Sequence, residues 1–186
     1  MRIKFAAFLC VLFLMAGCNS NQEPLDRALE LRSKITQSNG CSFSATVTAD
    51  YGEKLYDFSM DCVTDQSGNL SFTVTSPETI AGITGKISST GGAISFDDKV
   101  LAFQTLAEGQ LAPVTAPWLL VKTLRSGYLK DCCQTEKGLQ ISFDDSYEED
   151  SLHLLVMTKE NIPVSAEIFW KERRCLTLEI ENFSYL

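Results

Sequence analysis

The sequence predicts a single α+β domain built mainly of antiparallel sheet, and three observations carry that prediction. A helix-spaced apolar stretch gives way, from Cys41 onward, to segments in which apolar and polar residues alternate with a period of two. Clusters of Gly, Asn, Asp and Ser break that alternation at short intervals, as turns between strands do. One strongly apolar segment, 116–128, interrupts the strands with helical spacing. No repeat, low-complexity tract or domain linker divides the chain.

Pro24 opens a stretch to Gln37 in which Leu25, Ala28, Leu29, Leu31 and Ile35 recur with mostly helical spacing, and Asn39-Gly40 is a stop signal. Phe43, Ala45, Val47 and Ala49 then alternate with Ser and Thr. After a turn at 50–53, Tyr56, Phe58, Met60 and Cys62 alternate with acidic and small residues. Pairing residues whose numbers sum to 103 places Phe43 opposite Met60, Ala45 opposite Phe58, Val47 opposite Tyr56 and Cys41 opposite Cys62. Every apolar side chain then shares one face, which a slip of one residue would destroy. The same register predicts a Cys41–Cys62 disulfide, worth ~3 kcal/mol for a loop of about 20 residues. The alternative is two small buried thiols.

Strands follow at 70–74, 85–88, 93–96 and 100–104, with turns at 65–68, 89–92 and 97–99. Between the first two, Ser76-Pro77-Glu78 supplies a cap, a first-turn proline and a first-turn acid, which predicts a short helix. The loop 106–115, with Gly109 and Pro113, leads into the apolar helix 116–128, where Trp118, Val121, Leu124 and Tyr128 lie along one side. Strands at 139–143, 152–157, 164–170 and 175–183 complete the domain.

The first seventeen residues stand apart. Arg2 and Lys4 precede the apolar run 5–14, and small residues then lead to a cysteine. That is the order of a secretory signal peptide, too short for a spanning helix. Leu14-Met15-Ala16-Gly17-Cys18 resembles the lipobox of bacterial lipoproteins, with Met15 where that motif more often has Leu. The resemblance implies cleavage before Cys18 and a diacylglycerol on its sulfur; the alternative is a secreted protein with a chance cysteine at that point. The expected organisation is therefore a signal peptide at 1–17, a lipidated tether at 18–23 and one domain at 24–186. Acyl chains contribute about 0.8 kcal/mol per buried methylene, so two or three make a stable anchor to membrane.

The 186 residues carry a formal charge of −8. Loss of Arg2 and Lys4 takes Lys+Arg from 16 to 14 against 24 acids, so the mature chain stands at −10. An acidic chain with no basic block excludes nucleic acid as a partner and leaves membrane attachment to the acyl anchor. Five cysteines remain once Cys10 and Cys18 are set aside, and an odd number leaves one unpaired. Cys132 and Cys133 are adjacent; pairing of one of them with Cys175, the other left buried or free, and no pairing at all are both open. With no CxxC and a single histidine, no zinc site is expected.

The remaining candidate chemistry is sparse. Asp144, Asp145, Glu148, Glu149 and Asp150 could attract calcium, but they lack the glycine and spacing of an EF-hand loop and read as a solvated acidic turn. Asp97-Asp98 reads the same way. His153 has no GxSxG nucleophile elbow to work with, so no hydrolase is expected and it reads as a surface-facing strand histidine. Gly82, Gly85, Gly91 and Gly92 are not followed by a phosphate-loop lysine and read as turn and bulge residues. The apolar surplus is more informative. Phe72, Phe96, Phe103, Trp118, Val121 and Leu124 either line a cavity for an acyl chain or fill a core, and both readings stay open.

Three segments carry a wider resemblance: 70–77, a strand entering a proline; 93–98, a strand ending in an acidic turn; and 162–168 with 176–183. With the lipobox and the interposed helix, the pattern resembles the LolA/LolB-type lipoprotein-carrier fold, whose relatives include mycobacterial lipid-carrying lipoproteins and clostridial sporulation and germination lipoproteins. The resemblance implies a strongly curved antiparallel sheet of about ten strands, an incomplete barrel, with helices covering its concave apolar face. The family's gating arginine is not placed on any residue here. The expected function is that of a non-catalytic, cofactor-free lipoprotein on the extracytoplasmic side of the cell membrane, binding a lipid or acyl chain. The alternative is an interaction lipoprotein with a filled core that docks or activates a cell-envelope enzyme or regulator.

Overall fold

The computed structural model describes residues 22–186 apart from 98, 105, 108, 109 and 149. The expected signal peptide, Cys18 and residues 19–21 of the tether lie outside the described residues. Helix α1 (Gln22–Gln37) buries Ala28, Leu31 and Ile35 and leaves Leu25 and Leu29 exposed. A meander then runs through β1 (Cys41–Asp50), β2 (Leu55–Thr64), β3 (Leu70–Ser76), β4 (Thr84–Ser88), β5 (Gly91–Phe96) and β6 (Lys99–Phe103). A small hairpin of β7 (Leu106–Ala107) and β8 (Gln110–Leu111) and a 3-10 turn, Pro113–Thr115, lead into helix α2 (Ala116–Ser126). Five more strands finish the chain: β9 (Tyr128–Thr135), β10 (Gly138–Asp144), β11 (Leu152–Lys159), β12 (Ile162–Trp170) and β13 (Arg173–Tyr185).

Eleven of these strands form one antiparallel sheet in the order β6-β5-β4-β3-β2-β1-β13-β12-β11-β10-β9. The last strand pairs with the first and joins two meanders, while β6 and β9 remain as edges, so the curved sheet stays open. Alternation sets its two faces. Phe43, Ala45 and Val47 of β1, Ile141 and Phe143 of β10, and Leu176 and Leu178 of β13 are buried on the inner face. Ser44, Thr46, Ser59, Glu179 and Glu181 occupy outward positions. Helix α1 packs on α2 and β9, and α2 packs on β13, which puts both helices on the inner, concave side.

The first hairpin departs from the expected register by two residues. Phe43 faces Cys62, Ala45 faces Met60, Val47 faces Phe58 and Ala49 faces Tyr56. The cause is the turn, which is 51–54 and not 50–53. Tyr51 N–H donates to the Lys54 carbonyl at 3.0 Å, and Gly52, at φ +88°, donates its N–H to Asp50 Oδ1 at 2.7 Å. A slip of two preserves the faces but separates the cysteines. The Cys41 N–H donates to Thr64 Oγ1 at 2.9 Å, its Sγ lies 3.1 Å from the same oxygen, and Cys41 and Cys62 are both free, buried thiols. Cys132, Cys133 and Cys175 are also free. The first two lie on edge strand β9, with three strands between them and β13. Four spacings of about 4.8 Å along the sheet exceed the ~7 Å Cα separation a disulfide can bridge.

Three further expectations are corrected. Residues 77–82 form successive turns and no helix, because Ile80 N–H bonds back to Pro77 and Gly82 N–H bonds back to Val74 in β3. The segment from Tyr128 is strand β9: α2 ends at Ser126, and the Gly127 N–H donates to the Thr123 carbonyl at 2.7 Å. Gly85 and Gly92 are strand residues, each with a phenylalanine ring across the ladder, where a Cβ would overlap Phe72 and Phe103 respectively.

Candidate functional site

Helix α2 is buried along almost its whole length. Pro117 stands in its first turn, where a missing N–H costs nothing, and Leu119, Leu120, Val121 and Leu124 pack into the sheet. Its C-terminal carbonyls are held from α1. Arg32 Nε donates to the Leu124 carbonyl at 3.1 Å and Nη2 to the Gly127 carbonyl at 2.5 Å, with the guanidinium 5.5 Å from the Phe143 ring centre. Burial lowers the pKa of Arg32, and placing a cation at a helix C-terminus offsets that penalty. At the same helix end, Arg125 Nη2 donates to the Gln66 carbonyl at 2.7 Å and ties α2 to the β2–β3 turn.

The six residues expected to line a cavity separate into two groups. Phe72, Trp118, Val121 and Leu124 belong to one packed cluster, with Leu124 only 1% and Trp118 6% exposed. Phe103 is half-buried and meets an open cleft of about 880 Å³ whose walls mix Leu70, Ile87 and Ala93 with Asn69, Ser88 and Gln104. Trp118 touches a pocket of about 270 Å³ with Gly68, Ser89 and Arg125. Phe96 is 54% exposed. The inward row Phe72, Gly85, Ile94, Leu101 explains this. It passes from the core to the sheet edge, and the helical cover ends before it does. Leu101 is 67% exposed on the same side as Phe96, and Val100, on the opposite face, is 71% exposed. Hairpin β5–β6 is therefore an apolar rim continuous with a packed core.

The polar candidates are structural. Asp144 Oδ1 accepts from His153 Nδ1 at 2.9 Å, and its Oδ2 pairs with Lys130 at 2.9 Å. Burial works to raise the Asp144 pKa, but these bonds outweigh it and hold the carboxyl below its usual value. Asp145 accepts the Leu152 N–H at 2.8 Å, and Asp150 pairs with Lys171 at 3.2 Å, so the acidic segment closes the β10–β11 turn. Burial raises the pKa of the Cys41 and Cys62 thiols, the opposite of what a reactive thiolate needs.

Sequence reasoning missed that Ser142, His153 and Asp144 stand in line, with Ser142 Oγ 3.5 Å from His153 Nε2. The signal was available: Ser142 and Asp144 are two apart on β10, and hairpin pairing puts His153 opposite Asp144. The line lies on the outer face of the sheet, on the face opposite the buried Ile141 and Phe143. It orients an imidazole.

Among the described residues no helix is long and apolar enough to cross a membrane. No family model and no curated protein matches the chain. Among solved structures, it is similar to the LolA superfamily protein NE2245 from Nitrosomonas europaea, with TM-score 0.44 and 8% identity over 84% of this chain and 92% of that one. It is similar to the lipoprotein LppX from Mycobacterium tuberculosis, with TM-score 0.40 and 9% identity over 87% and 93%. A third similar structure is the CwlD amidase from Clostridioides difficile in complex with the GerS lipoprotein, with TM-score 0.41 and 14% identity over 90% and 98%. These neighbours are a LolA superfamily protein, a lipoprotein and an amidase–lipoprotein complex.

Proposed function

We propose that the chain is a lipoprotein anchored through Cys18 on the extracytoplasmic face of the membrane, and that it acts without catalysis by docking a cell-envelope protein. The observation that carries this reading is the contrast along the concave face. Beneath α2 the apolar surplus is packed, and at β5–β6 it is exposed as Phe96 and Leu101. An acyl-chain carrier needs its hollow where the side chains are here packed, whereas a docking protein needs apolar surface that a partner can reach. The ordered signal of Arg2, Lys4, the apolar run and Cys18 supports the anchor.

Lipid extraction and mass spectrometry of the exported Cys18→Ser protein test the reading. A lipid-free protein of unchanged stability, combined with photocrosslinking from position 101 to a single envelope protein, is the expected result. A stoichiometric bound lipid, lost in Leu124→Trp, would overturn it in favour of acyl-chain carriage along the Phe72–Leu101 row.

A further inference from the structure

Strand β11 carries large apolar side chains on both faces. Leu152, Leu154 and Val156 are buried on the inner face, yet Leu155 and Met157 stand on the outer face, flanked across the ladders by Gln140, Ser142, Ser165 and Glu167. A strand apolar on both faces is normally covered on both. Here α1 and α2 cover one face only. Leu155 and Met157 are instead the half-buried floor of a cleft of about 570 Å³ on the outer face, on the opposite side of the sheet from the helices.

The walls of that cleft are acidic. Glu167 lies directly across the ladder from Leu155, and Glu179 lies two strands from Met157, across Ser165. Glu136 stands at the other side in the β9–β10 turn, next to Lys137. Glu167 is paired with Arg174 at 2.6 Å, while Glu136 and Glu179 make no ion pair among the described residues. An apolar floor beneath two uncommitted carboxylates complements a ligand that presents apolar and basic side chains together. The open cleft, which runs across β10, β11, β12 and β13, suits an extended segment.

We propose that this outer-face cleft is a second docking site, which takes a basic, apolar-bearing segment of a protein partner in extended conformation. The inference rests on the docking reading above and names the chemistry of one partner surface. It uses a face of the sheet separate from the β5–β6 rim, so the chain engages a partner from two sides.

The test uses the full exported chain in detergent with methyl-labelled methionine. Met157 lies in the cleft and Met60 is fully buried in the core, so one reports on the site and the other on the fold. The probe is a seven-residue peptide alternating lysine and leucine, with its glutamate–leucine counterpart as control. The expected result is a saturable shift of the Met157 methyl with Met60 unmoved, weakened by salt. Binding should fall about tenfold or more in Glu136→Lys/Glu179→Lys, and Leu155→Ser should abolish it. Overturning results are a stationary Met157 methyl, equal binding of the acidic peptide, equal affinity in the charge-reversed variant, or shifts confined to the acidic turn at 144–150. Phe96→Asp/Leu101→Asp should leave the Met157 response intact. The cleft and the rim therefore fail or survive separately.

Discussion

Arg32 is the side chain whose removal has the most legible consequence. It alone donates to both the Leu124 and Gly127 carbonyls at the end of α2, and truncation leaves those acceptors without their charged donor in a partly buried place. Arg32→Ala should destabilise the protein by about 1–3 kcal/mol in urea unfolding. Arg32→Lys should recover only part of that, because an ammonium cannot span two carbonyls as a guanidinium fork does. Asp144 gives a pH signature. Its folded pKa is depressed, so its contribution is fully present above the unfolded value of about 3.9 and is lost as pH falls through the lower folded value. Asp144→Asn should therefore lower stability at neutral pH and flatten its dependence on acid in that window, read from denaturation midpoints across pH. The Asp144–His153 pairing follows from the β10–β11 register, which the sequence contained but a scan for local motifs does not reveal.

At the scale of elements, alternation made the faces of most strands readable before any coordinates. The β1–β2 hairpin shows the limit of that signal. A pattern of period two cannot distinguish registers that differ by two, and the choice fell to the Asp50–Gly52 turn. Native thiol labelling should consequently reach exposed Cys133 first and Cys41 and Cys62 only on unfolding, as read by peptide mapping. Strand β9 was missed because an edge strand carrying Lys130 and Asp131 shows little alternation. Helix α2 was recognised from its apolar spacing, but spacing says nothing of what fills the space opposite. The structure answers with a packed interface, so Leu124→Trp should cost about 1–3 kcal/mol through overpacking. An unchanged melting transition in that variant would contradict the filled core.

For the whole molecule, the boundary of the helical cover decides which apolar residues are core and which are surface. Phe72 and Phe96 look alike in sequence, each in a short alternating strand, yet one is buried and the other exposed because α2 stops short of β5–β6. That boundary depends on where two helices settle across eleven strands, which local pattern does not encode. The two sheet edges differ as well. On β9, charged residues and contact with α1 guard the edge, whereas β6 presents Val100 and Leu101 with no comparable protection. The proposed anchor belongs to the whole chain too. Cys18→Ser should move the protein from the membrane to the soluble fraction and abolish labelling by a palmitate analogue, while the folded domain keeps its unfolding midpoint.

The seat of β13 between β1 and β12 has a consequence for biogenesis. Cys41 pairs with Tyr185, so the ladder that unites the two meanders joins opposite ends of the domain. Such distant pairing makes closure slow, because the intervening chain must be gathered before any contact rewards it. A ribosome or a translocation pore delivers the N-terminal meander long before the strand that completes the sheet. Until residues 173–185 have emerged, β1 is an unpaired edge. The topology thus keeps the sheet open until its last strand is made, and folding can finish only when the whole domain has arrived.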